Sequence, residues 1–214
     1  EGERLVRALF GVARARAPSV IFIDELDSIL AQRREGEMEG TVRVKNEILV
    51  QMDGVSTKGA NDRLLVVGAT NRPQELDDAA RRRLQKRLLI PLPDADARAD
   101  MLSRGLNDIK HALTDVDLRD LVRATNGYSG SDMAGLCREA AMNPCRDEGF
   151  ESALMGGLNV EVLRAVTRSD FDDALCQVRA SVGASELEAF EEWNRQYGSF
   201  KNQQSKRQAC GAGR

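Results

Sequence analysis

An open, parallel α/β sheet followed by a helical subdomain is the fold class this sequence predicts. Two observations carry it: short apolar runs alternate with helical segments in the first 92 residues, and after "PLPDADAR" that alternation stops. The runs at 20–23 (VIFI) and 63–70 (RLLVVGAT) are continuous and rich in β-branched residues, as expected of strands covered by helices on both faces. A third, "KRLLIPL", ends as a strand at Pro91. Residues 94–180 read as several short helices without a further strand.

Taken in order, residues 3–17 place Leu5, Leu9, Val12 and Ala13 on one helical face, with Arg4, Arg7, Arg14 and Arg16 elsewhere, and Pro18 stops the helix. A charged stretch, 32–43, leads into an amphipathic helix with Val44, Ile48, Leu49 and Met52 inward, closed by Gly54. Ser131 with Asp132 suits a helix start, and Ser185 with Glu188 forms a capping-box pattern ahead of a last helix that ends at Gly198. The organisation expected is a large α/β subdomain over 1–92, a small helical subdomain over 93–181, a C-terminal helix over 182–198, and a polar, disordered tail over 199–214.

Composition narrows the function. With 214 residues and 42% hydrophobic content the chain can bury a substantial core. A formal charge of −3 despite 30% charged residues gives no overall argument for a nucleic-acid or membrane partner, and no apolar stretch reaches membrane length. No direct nucleic-acid binding and no integral membrane segment are expected. Cys137, Cys145, Cys176 and Cys210 lack paired metal-ligand spacing, and His111 stands alone, so reduced thiols in a cytoplasmic or nuclear protein are the reading. The chain opens at Glu1 within a helical pattern, which suggests a fragment.

Asp24 and Glu25 close the first apolar run. Open α/β sheets bind ligands outside the carboxyl ends of their strands, so acids there suit a Mg²⁺ ion and an attacking water; capping of the next helix is the competing reading. Thr70 and Asn71 end the second run at the same sheet edge, where an amide suits a water. The cluster "ARRRLQKR" is either a solvated basic face or a source of arginine that stabilises phosphoryl transfer in a neighbouring subunit.

"VIFIDELDSIL", "EILVQMDG", "GATNRPQELDDAARRRLQKRLLIPLPDADAR" and "YSGSDMAGLCREAA", in that order, resemble AAA ATPases of the meiotic group (katanin, spastin, fidgetin and the ATPases that disassemble membrane-scission filaments) over about residues 1–198. Within the group, "AARRRLQKRL", "LCREAAMNPCR" and "EEWNRQYG" look most like fidgetin-like proteins. The resemblance implies a partial parallel-sheet AAA+ core with a C-terminal helical subdomain, ATP and Mg²⁺ as cofactors, and a homo-oligomeric ring hexamer. It further implies remodelling or severing of a protein polymer, tubulin in microtubules or a recombinase filament. Asp24 would serve Mg²⁺, Glu25 would activate water, Asn71 would be the sensor asparagine, and Arg82 and Arg83 the paired arginine fingers. "REGEMEGTVR", 34–43, lies where the family has its second pore loop, or is a solvated charge run; "GEMEGT" departs from the family's pattern. Gly130, Ser131 and Asp132 fall where the small domain closes over the nucleotide base, or form a helix N-cap. Trp193 is expected as a packing anchor rather than a ligand contact.

Nothing matches G-x-x-x-x-G-K-[ST]: Gly54 and Gly59 have the spacing, but Ala60 and Asn61 follow and the position is wrong. In the family that loop and the first pore loop lie just upstream of "GE", so truncation or a partial copy is expected. The alternatives are an enzyme when intact, or a non-catalytic assembly module that lends Arg82 and Arg83 to a neighbour. Within the enzyme class the membrane-scission ATPases are second, because residues 150–166 look too short for their added β-strand.

Overall fold

The computed structural model describes residues 1–32, 39–57, 63–147 and 163–199. Most of the pore-loop stretch (34–38), of the 150–166 segment (150–162) and of the tail (200–214, with Cys210), and also Gly59–Asn61, lie outside the described residues. The chain forms two compact units, Glu1–Leu89 with Glu191–Arg214, and Ile90–Phe190.

In the first unit β1 (Ser19–Ile23) and β2 (Leu64–Gly68) pair in parallel from Ser19↔Leu64 to Ile23↔Gly68. Ile21 and Leu64 turn into a core with Phe10 and Ala13 of α1 (Gly2–Ala15) and Ile48, Leu49 and Met52 of α3 (Glu39–Thr57). Alternation then sends Val20, Phe22 and Leu65 to the opposite face, where they are 63%, 62% and 58% exposed. The expectation of cover on both faces therefore holds for one face only among the described residues.

Helix α1 also packs differently from its sequence pattern. Leu5, Leu9 and Val12 are exposed, and the neighbouring stripe Val6, Phe10 and Ala13 meets the core. The two stripes lie one residue apart, about 100° around the helix. Phe10 decides between them because its ring removes the largest apolar area from water. Across the α1–α3 contact Arg7 donates to Glu47 (2.9 Å) and Arg14 to the Gln51 side chain (2.8 Å) and carbonyl (3.2 Å). Helix α3 does not close at Gly54 but continues to Thr57. A Cβ at Gly54 would stand 3.1 Å from Nη2 of Arg14, so the bare position makes room for that arginine rather than ending the helix.

Helix α2 (Leu26–Leu30) follows β1, and α4 (Asp78–Arg83) follows a short 3-10 turn at Pro73–Glu75. The predicted third strand is absent: residues 84–94 carry no regular structure, with Leu88 and Ile90 exposed. Their backbone is engaged elsewhere. Arg87 N–H donates to the Ser199 hydroxyl (2.9 Å), Ser199 N–H to the Arg87 carbonyl (3.0 Å), and the Ser199 hydroxyl to the Gln85 carbonyl (3.0 Å). The arginine side chain of Arg87 bridges the carbonyls of Tyr197 (2.9 Å) and Arg81 (2.7 Å).

The second unit packs α5 (Ala95–Leu106), α6 (Asp115–Ala124), α7 (Gly130–Asp147) and α8 (Arg168–Gln177) around Leu102, Leu121, Met133, Leu136 and Phe171. Polar caps set each start. Asp94 accepts from Ala97 N–H (2.9 Å), and Thr114 with Asp117 closes a capping box. Helix α7 is capped by Ser129 with Asp132 (2.9 and 3.2 Å), not by Ser131, which lies inside the first turn. Helix α9 (Ala184–Tyr197) likewise starts one residue before Ser185, with the Gly183 carbonyl accepting from Glu186 and Leu187, so the expected Ser185–Glu188 box is not the cap. It ends at Tyr197, and a Cβ at Gly198 would sit 2.1 Å from Oδ1 and 2.4 Å from the carbonyl of Asn194. Only glycine fits there. Trp193 packs its ring 5.3 Å from that of Tyr197, consistent with an anchor. Among the described residues no helix is long and apolar enough to cross a membrane, and Cys137, Cys145 and Cys176 are free thiols.

Asp170, buried at the start of α8, accepts both guanidinium donors of Arg164 (2.7 Å each), the N–H of Thr167 (2.7 Å) and its hydroxyl (2.9 Å). Arg164 above all, against the desolvation of burial, holds its carboxyl at about 2 instead of 3.8. Because the folded value is depressed, the stabilisation is complete above the ordinary carboxylate range and disappears as pH falls from about 4 to about 2. Asp170→Asn should cost on the order of 2 kcal/mol at neutral pH. Thermal melts across pH should show the gap between wild type and variant closing only in that acid window; a gap independent of pH would remove the ion pair from the account.

Candidate functional site

The parallel pairing assembles the site. Ile23 is opposite Gly68, so Asp24 and Glu25 leave β1 beside Ala69, Thr70 and Asn71 as they leave β2. Two backbone bonds continue the ladder past the strand ends, Ala69 N–H to the Ile23 carbonyl and Leu26 N–H to the Ala69 carbonyl (2.9 Å each). A third stitch joins the loops through side chains, the Thr70 hydroxyl donating to Asp27, while Arg72 N–H donates to the same hydroxyl (2.9 Å). Asp24, Glu25 and Asn71 are all exposed at this edge.

Asp24 turns one carboxylate oxygen to Glu25 N–H (2.9 Å). The acids do not cap α2 with their side chains: Glu25 is its N-cap residue by position, and its side chain makes no capping bond. Glu25 instead sits in the left-handed region, φ 47° and ψ 48°, alone among the described non-glycine residues in having positive φ. A left-handed conformation in a non-glycine residue costs about 1–2 kcal/mol, and such strain gathers where a side chain must be aimed.

A single carboxylate fits Mg²⁺, which keeps most of its octahedral shell as water and phosphate oxygen. Among the described residues no group of three or more His, Cys, Asp or Glu side chains could hold a metal by itself.

Arginines 81–83 form the last turn of α4. Arg82 is exposed, and Arg81 lies over the Tyr197 ring (4.9 Å) while pairing with Asp78. Arg83 is held in cis: Nε and Nη2 donate to the two oxygens of Asp53 (2.7 and 2.6 Å), and Nη1 donates to the Ala79 carbonyl (3.0 Å). That pairing lowers the Asp53 carboxyl and raises the Arg83 guanidinium from their ordinary values. Asp78 and Asp53 thus engage two of the three arginines, and Arg82 alone of them stays exposed.

Lys45 was missed. Its ammonium is buried at 1% exposure, pairs with Asp77 (2.9 Å) and donates to the Ala31 carbonyl. Asp77 in turn caps α4 by accepting from Ala79 N–H (2.7 Å). The signal was present, since Lys45 precedes Ile48, Leu49 and Met52 by three, four and seven residues, a charge inside the apolar stripe.

Gly130, Ser131 and Asp132 belong to the second unit, and there Asp132 is structural. Despite desolvation, bonds from Ser129 and Ser181 hold its carboxyl below the usual range. Ser131 is exposed, its side chain taking no part in the cap.

Three family models match the chain: "ATPase family associated with various cellular activities (AAA)" over residues 1–92, "AAA+ lid domain" over 115–173 and "Vps4 C terminal oligomerisation domain" over 158–198. Residues 1–92 thus carry the domain of the AAA ATPases. Within that family it is closely similar to fidgetin-like proteins, being 52% identical over 198 residues to Fidgetin-like protein 1 of Caenorhabditis briggsae, 92% of this chain and 33% of the relative. The crystal structure of the FIGL-1 AAA domain in complex with ADP superposes with a TM-score of 0.83 at 48% identity, covering 92% of this chain and 64% of that one. A katanin structure concerned with its self-assembly gives 0.74 at 39% identity, covering 89% and 63%. The chain thus spans about a third of the length of the curated relative it matches.

Glu25→Gly tests the strain directly. Relief of about 1–2 kcal/mol exceeds the roughly 0.5–1 kcal/mol that glycine loses in chain entropy. Urea midpoints should therefore rise slightly, and a clear fall would show that Glu25 is anchored by contacts rather than strained.

Proposed function

We propose that this chain forms the water-activating and arginine-donating part of a Mg²⁺-dependent ATPase that works as a ring of like subunits and remodels a protein polymer. The observation that carries the reading is the parallel β1–β2 register, which brings Asp24 and Glu25 to the same edge as Asn71. ATP and Mg²⁺, when bound, supply the electrophilic phosphorus and compensation for its charge. Asp24 offers a carboxylate oxygen to the cation, Glu25 takes the proton of the attacking water, and the Asn71 amide fixes that water's orientation. Arg82 reaches the neighbouring subunit's phosphates, with Arg83 held beside it by Asp53. Similarity to fidgetin-like proteins and to katanin supports a microtubule as the polymer, with a recombinase filament as the alternative, and the match to an oligomerisation domain supports assembly.

Glu25→Gln in the full-length protein should lower ATP turnover by about 10²–10⁴-fold, the range of a general base, while ATP stays bound. Filter binding and phosphate release read the two quantities separately, and near-normal turnover would remove Glu25 from the role. The exposed Arg82 favours a second reading, in which the chain only donates arginine. Its signature is no turnover alone together with rescue of a relative whose own fingers are alanine.

A further inference from the structure

Helix α4 is six residues long, too short to hold its own orientation, yet it must aim an arginine. Two charged side chains of α3 grip it, one at each end. At the amino end buried Lys45 holds Asp77, the residue that caps α4, and ties it to the Ala31 carbonyl at the end of α2. At the carboxyl end Asp53 takes Arg83 through two bonds of 2.7 and 2.6 Å. Lys45 and Asp53 are eight residues apart on α3, about 12 Å at 1.5 Å per residue. Asp77 and Arg83 are six apart, so the two helices run side by side in the same direction. With both ends fixed, rotation of α4 is fixed as well, and Arg82 is the arginine left facing out.

From this geometry we infer that Lys45 and Asp53 are positioning residues for Arg82, setting the direction in which it is offered to the adjacent subunit. The inference rests on the trans-arginine reading above. Both act through α4, Lys45 by its bond to Asp77 and Asp53 by its bonds to Arg83. The bonds differ in character. Lys45–Asp77 is buried, and breaking it by removing one partner leaves an uncompensated charge. Asp53–Arg83 is at the surface, with the Asp53 side chain 52% exposed, so its loss leaves the fold intact while removing the hold of α3 on the carboxyl end of α4.

The test uses full-length Asp53→Asn and Lys45→Met, with circular dichroism to establish folding, and mixes each with Glu25→Gln subunits, whose own sites are inert but whose arginines are intact. Each variant alone should lose between about tenfold and a hundredfold in kcat, the scale of a misplaced catalytic group, with KM for ATP unchanged. Mixed with Glu25→Gln, turnover should rise above the sum of the parts, because sites on the variants now receive a correctly aimed arginine. Arg82→Ala mixed with Glu25→Gln is the control. If the control complements and the positioning variants do not, their defect lies in their own sites and the inference is wrong. If Asp53→Asn, folded, keeps or exceeds wild-type kcat, the carboxyl-end grip is not needed and the inference fails there. If the control itself does not complement, the trans-arginine reading fails and this inference with it. Should Lys45→Met not fold, Asp53→Asn decides alone.

Discussion

Everything at the candidate site descends from one constraint, the parallel pairing of two five-residue strands. Parallel neighbours end at the same edge, so a polar residue placed after each strand is delivered to the same spot without any loop having to carry it there. The strands need little help to stay in register. Ile21 and Leu64 commit one face to the α1–α3 layer, and a slip of one residue would exchange them for Val20 and Leu65 and empty the core. The backbone bonds that run on through Ala69 and Leu26 carry the register into the loops, so Asp24, Glu25 and Asn71 inherit the precision of the sheet.

A second layer of order is electrostatic. Helix α3 contributes Ile48, Leu49 and Met52 to the core and, from the same length of chain, the charges that grip α4. One helix therefore serves both as wall of the core and as mount for the arginines. The cost is a buried ammonium, offset by a carboxylate at 2.9 Å and a carbonyl. That cost makes sense for orientation more than for stability, since a methionine would fill the same space without any desolvation.

The two β strands, the helical second unit and the acids at the strand mouth were legible in the sequence because each is a local pattern: a β-branched run, a change of periodicity, a polar pair after an apolar stretch. What was not legible depended on choices between near-equal alternatives. Leu5–Leu9–Val12 and Val6–Phe10–Ala13 are both good helical stripes, and only the partner surface selects the second. "KRLLIPL" has the composition of a strand, but strand character belongs to a pair, and Arg87 spends its backbone groups on Ser199 instead. Ser129, Ser131 and Ser185 all suit an N-cap by type, and one residue of offset decides which hydroxyl meets an orphan N–H. Glu25's left-handed backbone left no trace in composition.

The strap at Ser199 has a consequence for the order in which the molecule comes together. Its bond to Arg87 joins residues 112 apart, and its bond to Gln85 residues 114 apart. For an open chain, closing such a loop is expensive in entropy, whereas once the intervening helices have condensed the two ends have far fewer places to be. The strap is thus a late contact, and the Tyr197 ring lies against Arg81 beside it. The arginine turn is seated fully only after the last residues of α9 have arrived, so a chain still emerging from synthesis holds the acids at its strand mouth in place before it holds the arginine turn complete.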